Sequence, residues 1–174
     1  MLSLLSTQFI DERDRKSAII QKKLFGTPSF LEAGTVCFYV SLPMEVSTHA
    51  MIGDALASGK KVLVPAVDLK NKELHLKEIR DFKKDLAPGT LGILEPVSRT
   101  KSAELGEAQC FVVPALAFDV NGHRLGRGGG FYDRLLAQLP TEVSTIGLAF
   151  SFQVFPEIPL QSHDRPVNMV LTEQ

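Results

Sequence analysis

The feature that most limits the fold is a set of five short apolar runs: TVCFYV (35–40), KVLVPAV (61–67), CFVVPALAF (110–118), STIGLAF (144–150) and VNMVLT (167–172). They are rich in β-branched or aromatic residues and bounded by turn formers. Their apolarity is nearly continuous. A strand with one wet face alternates, whereas a strand covered on both faces does not. The runs therefore predict a mostly parallel sheet with helices on both sides. Helical patterns fall between them. THAMIGDALAS (48–58) puts Met51, Ile52, Ala55 and Leu56 on one face and is closed by Gly59, while Phe131, Leu135 and Leu139 recur at i, i+4, i+8. Residues 7–25 carry many charges and no Gly or Pro, with Ile19, Ile20, Leu24 and Phe25 at the end. They predict a solvent-facing helix anchored by its last turns and stopping at Gly26 and Pro28. The expectation is an α/β fold: a layered Rossmann-like sheet, mostly parallel, flanked by helices through right-handed crossovers, in a single domain spanning residues 1–174.

Two segments read differently. Leu74, Leu76 and Ile79 alternate with charges, predicting an edge strand or hairpin arm, followed by an exposed loop through Pro88 and Gly89. Residues 95–108, EPVSRTKSAELGEA, read as a polar surface connection.

Composition narrows the function classes. The chain has 174 residues, 44% hydrophobic and 22% charged, with a formal net charge of -1. That is an ordinary soluble mixture without the excess of base a nucleic-acid surface needs. No apolar run reaches the roughly 18 residues of a membrane span. The start, MLSLLSTQF, lacks the basic segment and apolar length of a signal peptide. A cytoplasmic location, without nucleic acid or membrane, is expected. Cys37 and Cys110 sit in apolar runs without a CxxC spacing and read as buried, reduced thiols.

The chemistry concentrates in RLGRGGGFYDR (124–134). Four of the five residues from Gly126 to Gly130 are glycine. Glycine admits positive φ and lets a ligand approach bare backbone. Successive amides in such a turn form an anion-binding nest, and the helix starting near Phe131 adds its positive N-terminal end. Arg124 and Arg127 supply forked donors suited to phosphate. Asp133, in the first helical turn, would be stabilised by the helix dipole and, beside a polyphosphate, is suited to Mg²⁺. Tyr132 is placed to stack on or hydrogen-bond a ligand. The plainer reading is a tight helix entry, with Asp133 as a cap and Phe131 and Tyr132 in the core. The stretch is not a Walker A loop, since it lacks GK[ST], and it sits too late in the chain for a dinucleotide fingerprint.

FVVPALAFDVNGHRLGRGGGFYDRLL closely resembles the signature of the 5-formyltetrahydrofolate cyclo-ligase family, also called 5,10-methenyltetrahydrofolate synthetases. FYVSLPMEVST (38–48), GKKVLVPAV (59–67), GILEP (92–96), IGLAFSFQ (146–153) and HDRPVNMVLTE (163–173) agree in order, so the resemblance runs from about residue 30 to the end. It implies ATP- and Mg²⁺-dependent closure of 5-formyltetrahydrofolate to the 5,10-methenyl form, with release of ADP and phosphate through a phosphorylated formyl intermediate. It further implies an ATP segment at Arg124, Leu125, Gly126, Arg127, Gly128, Gly129, Gly130, Phe131 and Tyr132. Of these, Arg127, Gly128, Gly129, Gly130 and Phe131 would also face the folate, with Val40 and Glu45 lining its pocket. Asp133 and Asp164 correspond to metal positions. Members of that family begin with a basic helix that reaches the ATP phosphates; this chain is expected to begin near where that helix ends, so Arg13, Arg15 and Lys16 are not assigned that role. Without the resemblance, Glu45 reads as a loop acid and Asp164 as a turn former before Arg165 and Pro166.

Two other classes stay open. One is a non-catalytic folate- or nucleotide-binding homologue of the same fold. The other is a sugar-phosphate isomerase or CoA-transferase relative, which rests on fold analogy alone. His49 and His75 read as surface residues and His123 as a solvated turn residue. His163 reads as an orienter of its loop, and no His or Cys spacing suggests zinc.

Overall fold

The computed structural model describes residue 5 and residues 8–89, 92–160 and 164–174. Helices α1 (Ile10–Phe25) and α2 (Pro28–Glu32) precede strand β1 (Thr35–Cys37), α3 (His49–Ala57), β2 (Lys61–Asp68) and β3 (Glu73–Ile79). Then come α4 (Phe82–Asp85), β4 (Leu86–Pro88), β5 (Leu94–Pro96) and β6 (Lys101–Ala103). The second half holds β7 (Cys110–Val113), β8 (Ala117–Asp119), β9 (Arg124–Leu125), α5 (Phe131–Gln138), β10 (Ser144–Leu148), β11 (Val154–Phe155) and β12 (Met169–Leu171).

The main sheet runs β12-β10-β7-β1-β2-β3-β6. The pairs from β12 to β2 are parallel, and β3 and β6 add antiparallel pairs at one side. The continuous apolarity now has its cause. Val36, Val62, Val64, Cys110, Val112 and Ile146 pack with Ile20, Leu24, Met51 and Ile52 of α1 and α3. Their sequence neighbours Cys37, Leu63, Phe111 and Val113 point the other way, into a second cluster with Leu135 and Leu136 of α5. The period of two is there, but both faces are covered, so it leaves no polar trace.

Several boundaries shift for local reasons. Residues 38–40 stay buried but leave the ladder after Phe38 donates to the Leu63 carbonyl at 2.9 Å. Pro114 has no N–H to continue a ladder, so the run 110–118 divides into β7 and β8. Pro28 does not merely stop a helix. Thr27 caps a new one by accepting from Phe30 N, with Pro28 in the first turn where its missing donor costs nothing. The expected exposed loop at 80–89 holds α4 and β4, and the expected connection at 95–108 supplies β5 and β6. β3 is the expected hairpin arm, but β6 covers its free side. Cys37 and Cys110 are buried free thiols, as expected.

The candidate site at the switch point of the sheet

From β1 the chain moves to β2, β3 and β6 on one side, then returns to β7 on the other side of β1 and continues to β10 and β12. The strand order therefore reverses between β1 and β7, where open α/β sheets place their ligands, beyond the carboxyl ends of the strands. The two loops leaving that point are residues 38–48 and residues 114–130. They carry Val40, Glu45 and the glycine turn.

The 38–48 loop is fixed from within. Ser41 N donates to Thr48 Oγ1 and Thr48 N to Ser41 Oγ, each at 3.1 Å. Tyr39 Oη donates to the Val46 carbonyl at 2.9 Å. Glu45 is held at both oxygens: Oε2 accepts from Leu42 N at 3.0 Å, and Oε1 accepts from Arg127 Nη2 at 3.0 Å. Val40 is buried within the core cluster.

The opposite loop is braced by a three-stranded sheet, β11-β8-β9. In the β8–β9 turn, the buried Asp119 carboxylate accepts from Asn121 N and His123 N, each at 2.9 Å, and meets His123 Nδ1 at 3.0 Å. Burial works to raise the Asp119 pKa, but these bonds outweigh it and hold the acid below its ordinary value. His123 is thus half-buried and pinned to Asp119 rather than merely solvated. Gly122 has φ +84°, and a Cβ there would lie 2.4 Å from the Val167 carbonyl oxygen, so only glycine fits.

The glycine turn follows. Gly128 and Gly130 have φ of +87° and +64°, and Gly130 opens α5 with no side-chain cap. A Cβ at Gly128 would meet nothing within 4 Å, so open space lies beside it. Among the described residues, the backbone amides of residues 127–131 find no acceptor. Such unpaired donors are what an anion needs.

Beneath the turn lies Arg124, only 6% exposed. Its Nη2 pairs with Asp133, its guanidinium lies 5.7 Å from the Tyr132 ring centroid, and its Nε has no hydrogen-bond partner among the described residues. Burial lowers its pKa, while Asp133, Tyr132 and Asp164 oppose the shift. Asp164 is thus within electrostatic reach of the same centre. Burial raises the Tyr132 phenol well above its ordinary value, aided by Cys37 and Glu45.

The structure therefore brings Glu45, Arg124, Arg127, the glycines, Tyr132 and Asp133 to one crevice. His163 lies outside the described residues. His49 and His75 are exposed, as expected. Arg13 and Lys16, given no role from the sequence, are tied to other parts of the chain. Arg13 donates to the Pro43 carbonyl, and Lys16 pairs with Glu12 at 2.8 Å and Glu173 at 3.8 Å. Two grooves flank the site: about 450 Å³ beside Asp119–Gly122 and β12, and about 560 Å³ between β3, β6 and α5. Neither is lined by Glu45, Arg127 or Asp133. Among the described residues no three His, Cys, Asp or Glu side chains group to hold a metal alone, and no helix is long and apolar enough to cross a membrane.

The fold and this crevice define a doubly wound α/β protein with a glycine turn at its switch point. The sequence model of the 5-formyltetrahydrofolate cyclo-ligase family matches residues 1–173, and the chain belongs to that family of ligases. The match reaches further toward the amino terminus than the motifs alone. A 5-formyltetrahydrofolate cyclo-ligase of Mycolicibacterium smegmatis is 36% identical over 141 residues, covering 79% of this chain and 73% of that protein. The mouse enzyme of that name is 28% identical over 172 residues, covering 94% and 85%. The NMR structure of Aquifex aeolicus 5,10-methenyltetrahydrofolate synthetase superimposes with a TM-score of 0.86 at 30% identity, covering 99% of this chain and 86% of that one.

Proposed function

We propose that this chain, a single domain over residues 1–174, closes 5-formyltetrahydrofolate to 5,10-methenyltetrahydrofolate with ATP and Mg²⁺, releasing ADP and phosphate. The observation that carries the reading is the set of amides at residues 127–131 without an acceptor among the described residues, in the turn whose Arg127 side chain reaches Glu45 across the switch point. A formyl oxygen is a poor leaving group. Transfer of the ATP γ-phosphoryl group to it gives a phosphorylated formyl intermediate. N10 then attacks the formyl carbon, loses its proton, and phosphate departs. Such chemistry asks for alignment and charge neutralisation rather than a protein nucleophile.

The residues fit these demands. The amides of Gly128, Gly129, Gly130 and Phe131, with Arg127, would cradle phosphate oxygens, and Arg124 would supply positive charge from below. Glu45 has acceptor capacity for pterin N–H groups, next to Val40. Asp133 and Asp164 would hold Mg²⁺, which neutralises phosphate charge. Two carboxylates with phosphate oxygens suit that ion better than an all-protein cage. We place the protein in the cytoplasm as a monomer. The test mixes purified full-length protein, MgATP and 5-formyltetrahydrofolate and follows the near-UV absorbance of the methenyl product. Absence of ATP-dependent product sinks the proposal.

A further inference from the structure

Arg134 lies one turn into α5, outside the residues that the motif assigns. Its Nε and Nη2 donate to the Lys72 carbonyl at 2.8 and 2.5 Å, and Nη2 also donates to the Gly129 carbonyl at 3.0 Å. Its backbone N–H donates to the Gly130 carbonyl at 3.1 Å. The guanidinium packs over the Phe131 ring at 5.4 Å, and a Cβ on Gly130 would stand 2.8 Å from Nη1. One residue therefore joins two separate segments, the tip of the β2–β3 hairpin and the end of the glycine turn.

The hairpin tip is a firm anchor. Asp68 accepts from Lys70 N at 2.9 Å, Asn71 N at 3.1 Å and the Asn71 side-chain amide at 2.9 Å. Lys72 has φ +55°, alone among the described non-glycine residues in being positive. This turn of the chain aims its carbonyl at Arg134.

Peptide planarity converts these contacts into a functional statement. In a trans peptide the carbonyl and the following N–H point in opposite directions. Holding the Gly129 oxygen on Arg134 turns the Gly130 N–H the other way. The Gly130 oxygen is held by the backbone N–H of residue 134, the first bond of the helix, and orients Phe131 N–H whatever side chain stands there. The Gly130 amide is among those of the turn without an acceptor among the described residues.

We propose that Arg134 is a positioning residue: its side chain fastens the glycine turn to the β2–β3 hairpin and so aims the Gly130 amide at an anionic ligand. The proposal rests on the reading of that turn as the ATP phosphate cradle. It makes hairpin residues that touch no ligand into determinants of nucleotide affinity.

The test uses the full chain, Arg134→Ala, Arg134→Lys, and a hairpin variant with residues 69–72 replaced by Asn-Gly. Backbone ¹⁵N order parameters of Gly128, Gly129 and Gly130 are measured without ligand, and dissociation constants are measured for MgATP and for 5-formyltetrahydrofolate. In Arg134→Ala the order parameters are expected to fall from about 0.85 toward about 0.6. ATP binding weakens about tenfold, with a smaller loss for folate. Arg134→Lys restores part of both effects. The hairpin variant reproduces them, and adding Arg134→Ala to it changes nothing more. Unchanged glycine order parameters overturn the proposal, whatever the turn binds. Loosened glycines with undiminished ATP affinity overturn it too, as do equal losses for ATP and folate accompanied by a lower melting temperature. A wild-type chain that binds no ATP instead overturns the nucleotide reading, and the order parameters then judge the fastening alone.

Discussion

Arg127 donates to Glu45 at 3.0 Å and thereby ties the loop after β7 to the loop after β1, across the point where the strand order reverses. Arg127 is 44% exposed and Glu45 13%. The pair is a weak lock on stability but a sensitive part of the site. In the proposed reaction Glu45 faces the folate alone, whereas Arg127 reaches the ATP phosphates as well as the folate. Arg127→Ala is expected to raise the KM for MgATP about 10- to 100-fold, the loss of one charge-assisted phosphate contact. Glu45→Gln keeps an acceptor for Leu42 N and is expected to act chiefly on the folate KM. Steady-state kinetics with each substrate varied in turn check this division. A pair of variants that shift both constants alike would argue against it.

Asp133 has two claims on it, since its Oδ1 holds the buried Arg124 guanidinium while the proposed reaction needs it at Mg²⁺. Asp133→Asn is therefore expected to raise the Mg²⁺ concentration needed for half-maximal rate. The same change removes the countercharge of Arg124 and should cost about 1–3 kcal/mol of stability. The sequence alone suggests that the fold would not notice. Denaturant unfolding of the variant decides the second point, and an unchanged rate at limiting Mg²⁺ removes Asp133 from the metal.

The sheet and the site were legible to different degrees. Both faces of β1, β2, β7 and β10 are covered, so their apolarity was strong enough to be read without a partner. β8, β9 and β11 are two or three residues long and exist only because they meet each other, which no local pattern announces. The glycine turn was visible because it needs rare residues in a row. The burial of Arg124 on Asp133 and the reach of Arg134 were not, since one is set by packing and the other by a carbonyl 62 positions away. Glu45 shows the same limit, because nothing near it in sequence names Arg127, 82 positions on.

The two thiols make stability depend on alkaline pH. Burial pushes Cys110 up to about 12 and raises Cys37 well above its ordinary value. The unfolded chain ionises both near pH 9, whereas the folded chain keeps them neutral. Their contribution is therefore complete below about pH 9 and is lost as pH rises toward 12, at about 1.4 kcal/mol per pH unit and thiol. Cys110→Ala should flatten this decline in urea melts between pH 8 and 10.5. A decline as steep as in the parent chain would assign it to other groups, Tyr39 and Tyr132 first.

Gly147 tests the packing that holds the switch point together. It lies in β10 beside Val113 of β7, and an added Cβ would stand 2.5 Å from Cζ and 2.6 Å from Cε1 of Phe118. Phe118 is fully buried and pairs with Arg124 in the β8–β9 ladder. It cannot move without shifting the strand that carries the start of the site. Gly147→Ala is therefore expected to destabilise the protein by about 1–3 kcal/mol through overpacking, although alanine is otherwise the better strand residue. Phe118→Leu in the same chain frees the space the new methyl needs and should recover part of the loss. A thermal melt of the single and double variants measures both. If Gly147→Ala melts with or above the parent, the ring has room to retreat and the rigid brace beneath the glycine turn is not there.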